Sequence, residues 1–295
     1  MFGKLMRYEW SAMLRRMLPL YASVIVVSLL NAVFWHGNLS RMLEGSVLFT
    51  LPVFQQIGAF LQIFLGFLYF AVLMGLFFVT LWVIVQRFYQ GLLREEGYLM
   101  FTLPVKPWQL AASKAVVSLV TATLSGFIGL MAICILIAYD GQNLFQYLLA
   151  IPNGISALYQ AVASELPPET RPQLFLIGAE LVALYGIVGL SIIYHFYAAM
   201  SLGQLSKSHR VAWSVIWYLL IYMVSGIAGW LVIGLIVSLP AMVAGNAAIE
   251  AFLRQGSGIL AVHFVLGLLL ACELLELVVK GAITHYILTY RLNLE

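Results

Sequence analysis

Glu273, Glu276 and Lys280 stand at i, i+3 and i+7 in the last apolar stretch of this chain, so a helix puts all three on one face. Glu276 and Lys280 have the acid-before-base i, i+4 order that favours an ion pair. Ionisable groups inside a membrane span are costly and mark functional positions by default. Two roles suit the pattern: an ion pair near the inner surface that fixes helix packing, or part of a pathway. Glu273 has no cation one turn away and suits a conduit or an inter-span contact. Glu180 falls near the outer end of its stretch. His195 and His263 are single histidines, whose simplest chemistry is hydrogen bonding within a packed interior. No HExxH, GxSxG or CxxC pattern is present, so neither a catalytic residue nor a metal site is expected. Cys134 and Cys272 lie in apolar runs and read as small hydrophobes.

The elements that must position these groups follow from composition. The 295 residues are 63% hydrophobic and only 9% charged, against about 25% charged in soluble domains. An all-α integral membrane protein is therefore expected. Its net charge of +3 is small and its basic residues are scattered, which excludes a nucleic-acid surface. A bilayer core needs roughly 20 apolar residues per helix. Six stretches qualify: 18–35, 59–86, 114–139, 174–203, 212–238 and 258–281. With both termini in the cytoplasm, Lys4, Arg7, Arg15, Arg16, Arg87, Arg94, Lys106, Lys114, Lys207, Arg210, Lys280 and Arg291 lie inside. Arg41, Arg171 and Arg254 lie outside, a positive-inside bias of twelve to three. No signal-cleavage pattern closes the first apolar run, which is expected to be retained. Residues 239–257 begin with Pro240 and predict a short outer helix.

Residues 1–17 predict an amphipathic connecting helix ahead of the membrane domain, 18–295. Phe2, Met6, Trp10, Met13 and Met17 recur on one helical face, while Lys4, Arg7, Ser11 and Arg15 share another. A Trp-bearing apolar face with a basic face suits the inner headgroup region, although a topology-setting flank explains the charges alone. Between the second and third stretches, residues 87–113 carry a short helix-capable segment, LLREEGYLMFTLP, which Gly97 could interrupt. Pro107 then opens the third stretch. This segment reads either as a compact docking surface or as a solvated turn with aromatics held in the headgroups. Trp213, Trp217, Tyr218, Tyr222 and Trp230 could line an apolar path through the fifth stretch, and aromatic-belt anchoring explains the tryptophans equally well.

EGYLMFTLPVKPWQLAASK at 96–114, with KLMRYEWSAMLRRMLPLY at 4–21, resembles the permease subunits of bacterial ATP-binding-cassette (ABC) exporters with the type-2 membrane-domain fold. The likeness in layout covers essentially the whole chain, and the EGYLMFTLP run is its most specific part. It implies a basic amphipathic connecting helix, six spans and a coupling helix between spans two and three. By the resemblance, Arg94, Glu95, Glu96, Gly97, Tyr98 and Phe101 lie in or beside that helix, and Pro104 and Lys106 shape the turn after it. It also implies a partner ATPase, a second permease subunit (the same chain or a paralogue) and a multi-pass location in the bacterial inner membrane. Spans two and five typically face the central cavity, which includes Trp217 and Tyr222.

This chain has no GxxxxGK[ST] phosphate loop, so ATP and magnesium would be held by the partner, with no cofactor here. The cargo expected of such a permease is apolar, amphipathic or peptide-like. Three other classes compete. An ion-gradient-driven transporter would use Glu273 and Glu180, but no inverted repeat or broken helix is evident. A membrane sensor or assembly protein is the second. A membrane enzyme of the EExxxR protease type would need Arg where Met100 stands.

Overall fold

The computed structural model describes the chain apart from residues 1, 37–51, 103, 139–152, 155, 158, 165–170, 207, 255–257 and 292–295, and apart from some side chains within helices, Glu95 and Glu96 among them. The described residues form helices and no strands: α1 (Phe2–His36), α2 (Pro52–Leu93), α3 (Glu95–Phe101), α4 (Pro107–Ala138), α5 (Arg171–Gly203), α6 (Arg210–Arg254) and α7 (Gly258–Tyr290). Among them, six are long and apolar enough to cross a membrane. Lipid offers no partners for peptide groups, so long apolar runs must satisfy them internally as helices. The exposed Phe60, Phe67, Phe77 and Trp82 of α2 would be a liability in water and are ordinary against lipid. The chain is a multi-pass membrane protein.

Three boundaries differ from those expected. The connecting segment 1–17 and the first span form one uninterrupted helix, with Pro19 inside it. Pro240 likewise lies within α6, so the separate outer helix expected after it is the continuation of that helix. A membrane helix tolerates the missing N–H because neighbours and local adjustment satisfy the freed groups. Gly97 does not interrupt α3 either; the chain breaks at Arg94, whose backbone is extended at φ −122°. Arg41, expected outside, lies beyond the described residues, as does Arg254's side chain.

The chain divides into two compact units, one of residues 3–84 and 120–162 and the other of residues 85–119 and 163–295 with the first two residues. In the first unit, polar groups link three apolar helices. The Tyr21 hydroxyl of α1 meets Ser125 Oγ of α4 at 2.8 Å, and Thr80 Oγ1 of α2 lies 3.0 Å from Ser125 Oγ. Asn31 Nδ2 donates to the Leu65 carbonyl. Tyr21, Asn31, Thr80 and Ser125 are all buried. In lipid, where apolar surface alone supplies little attraction between helices, such bonds help to fix their packing.

In the second unit, α5 packs along both α6 and α7, and among the described residues α6 and α7 meet less. The turn from α5 into α6 is short. A Cβ added to Gly203 would come 2.8 Å from both Arg210 O and Ser214 N, so only glycine lets the two helix ends approach this closely. His209 enters the left-handed region at φ 54° to complete the turn.

Candidate functional site

Residues of α5, α6 and α7 line a cavity of about 890 Å³. From α5 come Ser191 and His195, from α6 Tyr218, Tyr222 and Trp230, and from α7 Cys272, Glu273, Glu276 and Lys280. Ser191 and His195 are four apart, as are Tyr218 and Tyr222, so each pair projects from one helix face.

Lys280 is the electrostatic centre of the group. Its Nζ donates to Glu276 Oε2 at 2.6 Å and to Ser191 Oγ at 3.0 Å. The lysine side chain is 7% exposed and the glutamate's 28%. The pair therefore holds α7 internally and ties it to α5. Glu273 has no hydrogen-bond or ion-pair partner among the described residues, and it lines the cavity. His195 Nε2 lies 3.0 Å from the Tyr218 carbonyl. A carbonyl only accepts, so Nε2 carries the hydrogen, and in the neutral ring Nδ1 is left as an acceptor.

The helix that carries this group does not end at 281 but continues to Tyr290, and Glu276 stands near the middle of the candidate span Val262–Tyr290.

The structure brings Tyr222, Glu273, Glu276 and Lys280 to one cavity, while Trp217 does not line it and Trp230 does. The histidines part company: His195 reaches the cavity, while His263 Nδ1 meets Glu180 Oε1 at 2.8 Å, linking α7 to α5. That pair borders a separate cavity of about 540 Å³ with Gln173 and Leu270. The other Glu180 oxygen, Oε2, is buried without a partner. Its two residues lie 83 positions apart, and no spacing rule connects them.

The connection between α2 and α4 is a second candidate surface. Gly97 Cα faces the end of α2 so closely that an added Cβ would lie 2.6 Å from Leu92 O. Beyond it Tyr98 and Leu99 are 67% and 69% exposed. Arg94 lies with its guanidinium 5.3 Å from the Tyr89 ring centre, within cation–π reach. Phe101 is half-buried, and Pro104 and Lys106 are exposed. Pro107 takes the first helical position of α4, where its missing N–H costs nothing. Gln109 Oε1 accepts from Lys106 N at 3.3 Å while Gln109 N donates to Lys106 O, a reciprocal cap that fixes the helix start. The connection is anchored on α5: Phe88 stacks on Tyr197 with ring centres 3.8 Å apart, and the Tyr197 hydroxyl meets Ser118 Oγ at 3.3 Å.

At the N-terminus, Lys4, Arg7 and Arg15 are exposed, Trp10 is half-buried, and Met13 and Met17 are buried. Arg15 turns back onto its own helix, its Nε donating to the Ser11 carbonyl. Among the described residues, no group of three or more His, Cys, Asp or Glu side chains could hold a metal. Compared with protein-family models, curated proteins and solved structures, the chain matches none.

Proposed function

We propose that this chain is the permease subunit of an ATP-driven exporter, with its ATPase on a separate polypeptide that docks on α3. The observation that carries the reading is the short helix Glu95–Phe101 with Tyr98 and Leu99 exposed, set between two helices long enough to span a membrane. Large apolar and aromatic side chains displayed together are the usual anchors of a protein interface. The close Gly97–Leu92 approach and the Phe88–Tyr197 stack support it further, because a handle that transmits force must be firmly mounted. Both termini and α3 then face the cytoplasm of a bacterial inner membrane. A second permease subunit, the same chain or a paralogue, completes the assembly. ATP binding on the partner shifts the population of two membrane conformations, moving an apolar, amphipathic or peptide-like cargo.

The test is purification of the tagged chain from its native membrane in mild detergent, with mass spectrometry of what stays bound. A near-stoichiometric P-loop ATPase, lost on Tyr98→Ala or Glu96→Lys without loss of membrane insertion, is the expected result. No ATPase, under conditions where another permease keeps its own, overturns the reading. That outcome would favour an ion-gradient-driven transporter, for which the unpartnered Glu273 is the observation in hand.

A further inference from the structure

We infer that the cavity among α5, α6 and α7 is a binding site for a lipophilic organic cation, a single positive charge carried on a bulky apolar or aromatic body. Charge points to this class first. Lys280 is matched by Glu276 at 2.6 Å, and the ring of His195 is engaged by the Tyr218 carbonyl. Glu273 is then the carboxyl lining the cavity that no cation among the described residues meets. A carboxylate within a candidate span, with no partner among the described residues, is costly in lipid, and a ligand cation would relieve that cost.

Shape and lining point the same way. At about 890 Å³ the cavity lies within the range of drug-sized sites, roughly 300–1,000 Å³. Its walls are mostly apolar, and Tyr218, Tyr222 and Trp230 of α6 line it together with Glu273 and Glu276 of α7. Aromatic faces attract cations electrostatically, tryptophan most strongly. An anion would meet Glu273 and find Lys280 already engaged by Glu276 and Ser191. A neutral apolar molecule would leave Glu273 desolvated and unmatched. The cation would be cargo only if the transport reading above holds, whereas its binding needs no ATPase.

The experiment is equilibrium dialysis of radiolabelled tetraphenylphosphonium against the full-length protein in lipid nanodiscs, with empty nanodiscs subtracted. Tetraphenylborate, of the same shape and opposite charge, is the control. Saturable binding near one equivalent is expected for the cation and none for the anion. Glu273→Gln should weaken cation binding about tenfold or more, which is 1.4 kcal/mol. Trp230→Leu should weaken it about threefold or more through lost cation–π attraction. Glu273→Asp, which keeps the charge, should retain most of it. Equal binding of the two probes, or unchanged affinity in Glu273→Gln that still purifies as the wild type does, would overturn the proposal. ATPase co-purification is scored separately, so failure of this site and failure of the exporter reading remain distinguishable.

Discussion

Replacing Lys280 with Met tests whether the mid-span charge pair holds α7 to α5. The substitution keeps the length of the side chain and removes its charge and three donors. Glu276 would be left without its cation beside the cavity, and Ser191 would lose its donor at 3.0 Å. Removing one partner of a buried pair costs about 3–5 kcal/mol, because the remaining charge is uncompensated. Glu276 keeps 28% exposure, so the lower end, about 3 kcal/mol, is expected. The double variant Glu276→Gln/Lys280→Met removes both charges at similar volume, a replacement that is often close to neutral. It should therefore recover about 2 kcal/mol of the loss. Equilibrium unfolding in mixed dodecyl maltoside and dodecyl sulfate micelles, followed by circular dichroism, measures both values. If the double variant is as unstable as the single one, the loss is one of packing, and the charge argument fails.

Gly97→Ala places a methyl group 2.6 Å from Leu92 O and 2.9 Å from Leu92 C, backbone atoms that cannot swing aside. The expected result is faster proteolysis between residues 94 and 106 with unchanged helix content, measured by mass-mapped limited digestion. Ser125→Ala removes the hydroxyl that Thr80 and Tyr21 share and should cost about 0.6 kcal/mol, and no more than about 1.7 kcal/mol, the average and the upper end for hydrogen bonds between membrane helices. Unfolding in the same mixed micelles checks this, and a cost near zero would mean that the Tyr21–Thr80–Ser125 cluster contributes no stability.

Hydropathy alone located the helices long enough to cross a membrane, because an unbroken apolar run in lipid has few alternatives to a helix. Their ends were less legible, for a physical reason. Pro19 and Pro240 carry the local signals of a start or a turn, yet both lie within continuous helices, where the surroundings outweigh the local preference. Gly97 suggested a break, while its role is to permit contact with Leu92. For the cavity, i, i+3, i+7 spacing placed Glu273, Glu276 and Lys280 on one face, since that periodicity belongs to a single helix. What the face meets depends on how α5 and α6 pack, which no spacing within α7 encodes. Ser191 beneath Lys280, Trp230 in place of Trp217, and the Glu180–His263 pair all belong to that second kind of information.

The two faces of α5 carry one further consequence. Tyr197, stacked on Phe88 below the α2–α4 connection, lies two residues beyond His195, which lines the cavity with Ser191. At 3.6 residues per turn, two residues are about 200° of arc, so the connection grips one side of the rod and the cavity occupies the other. A helix held this way acts as a crank: any roll of α5 about its own axis that carries Tyr197 one way sweeps His195 and Ser191 the opposite way. The hydroxyl that accepts from Lys280 would then shift relative to its amine in the same stroke.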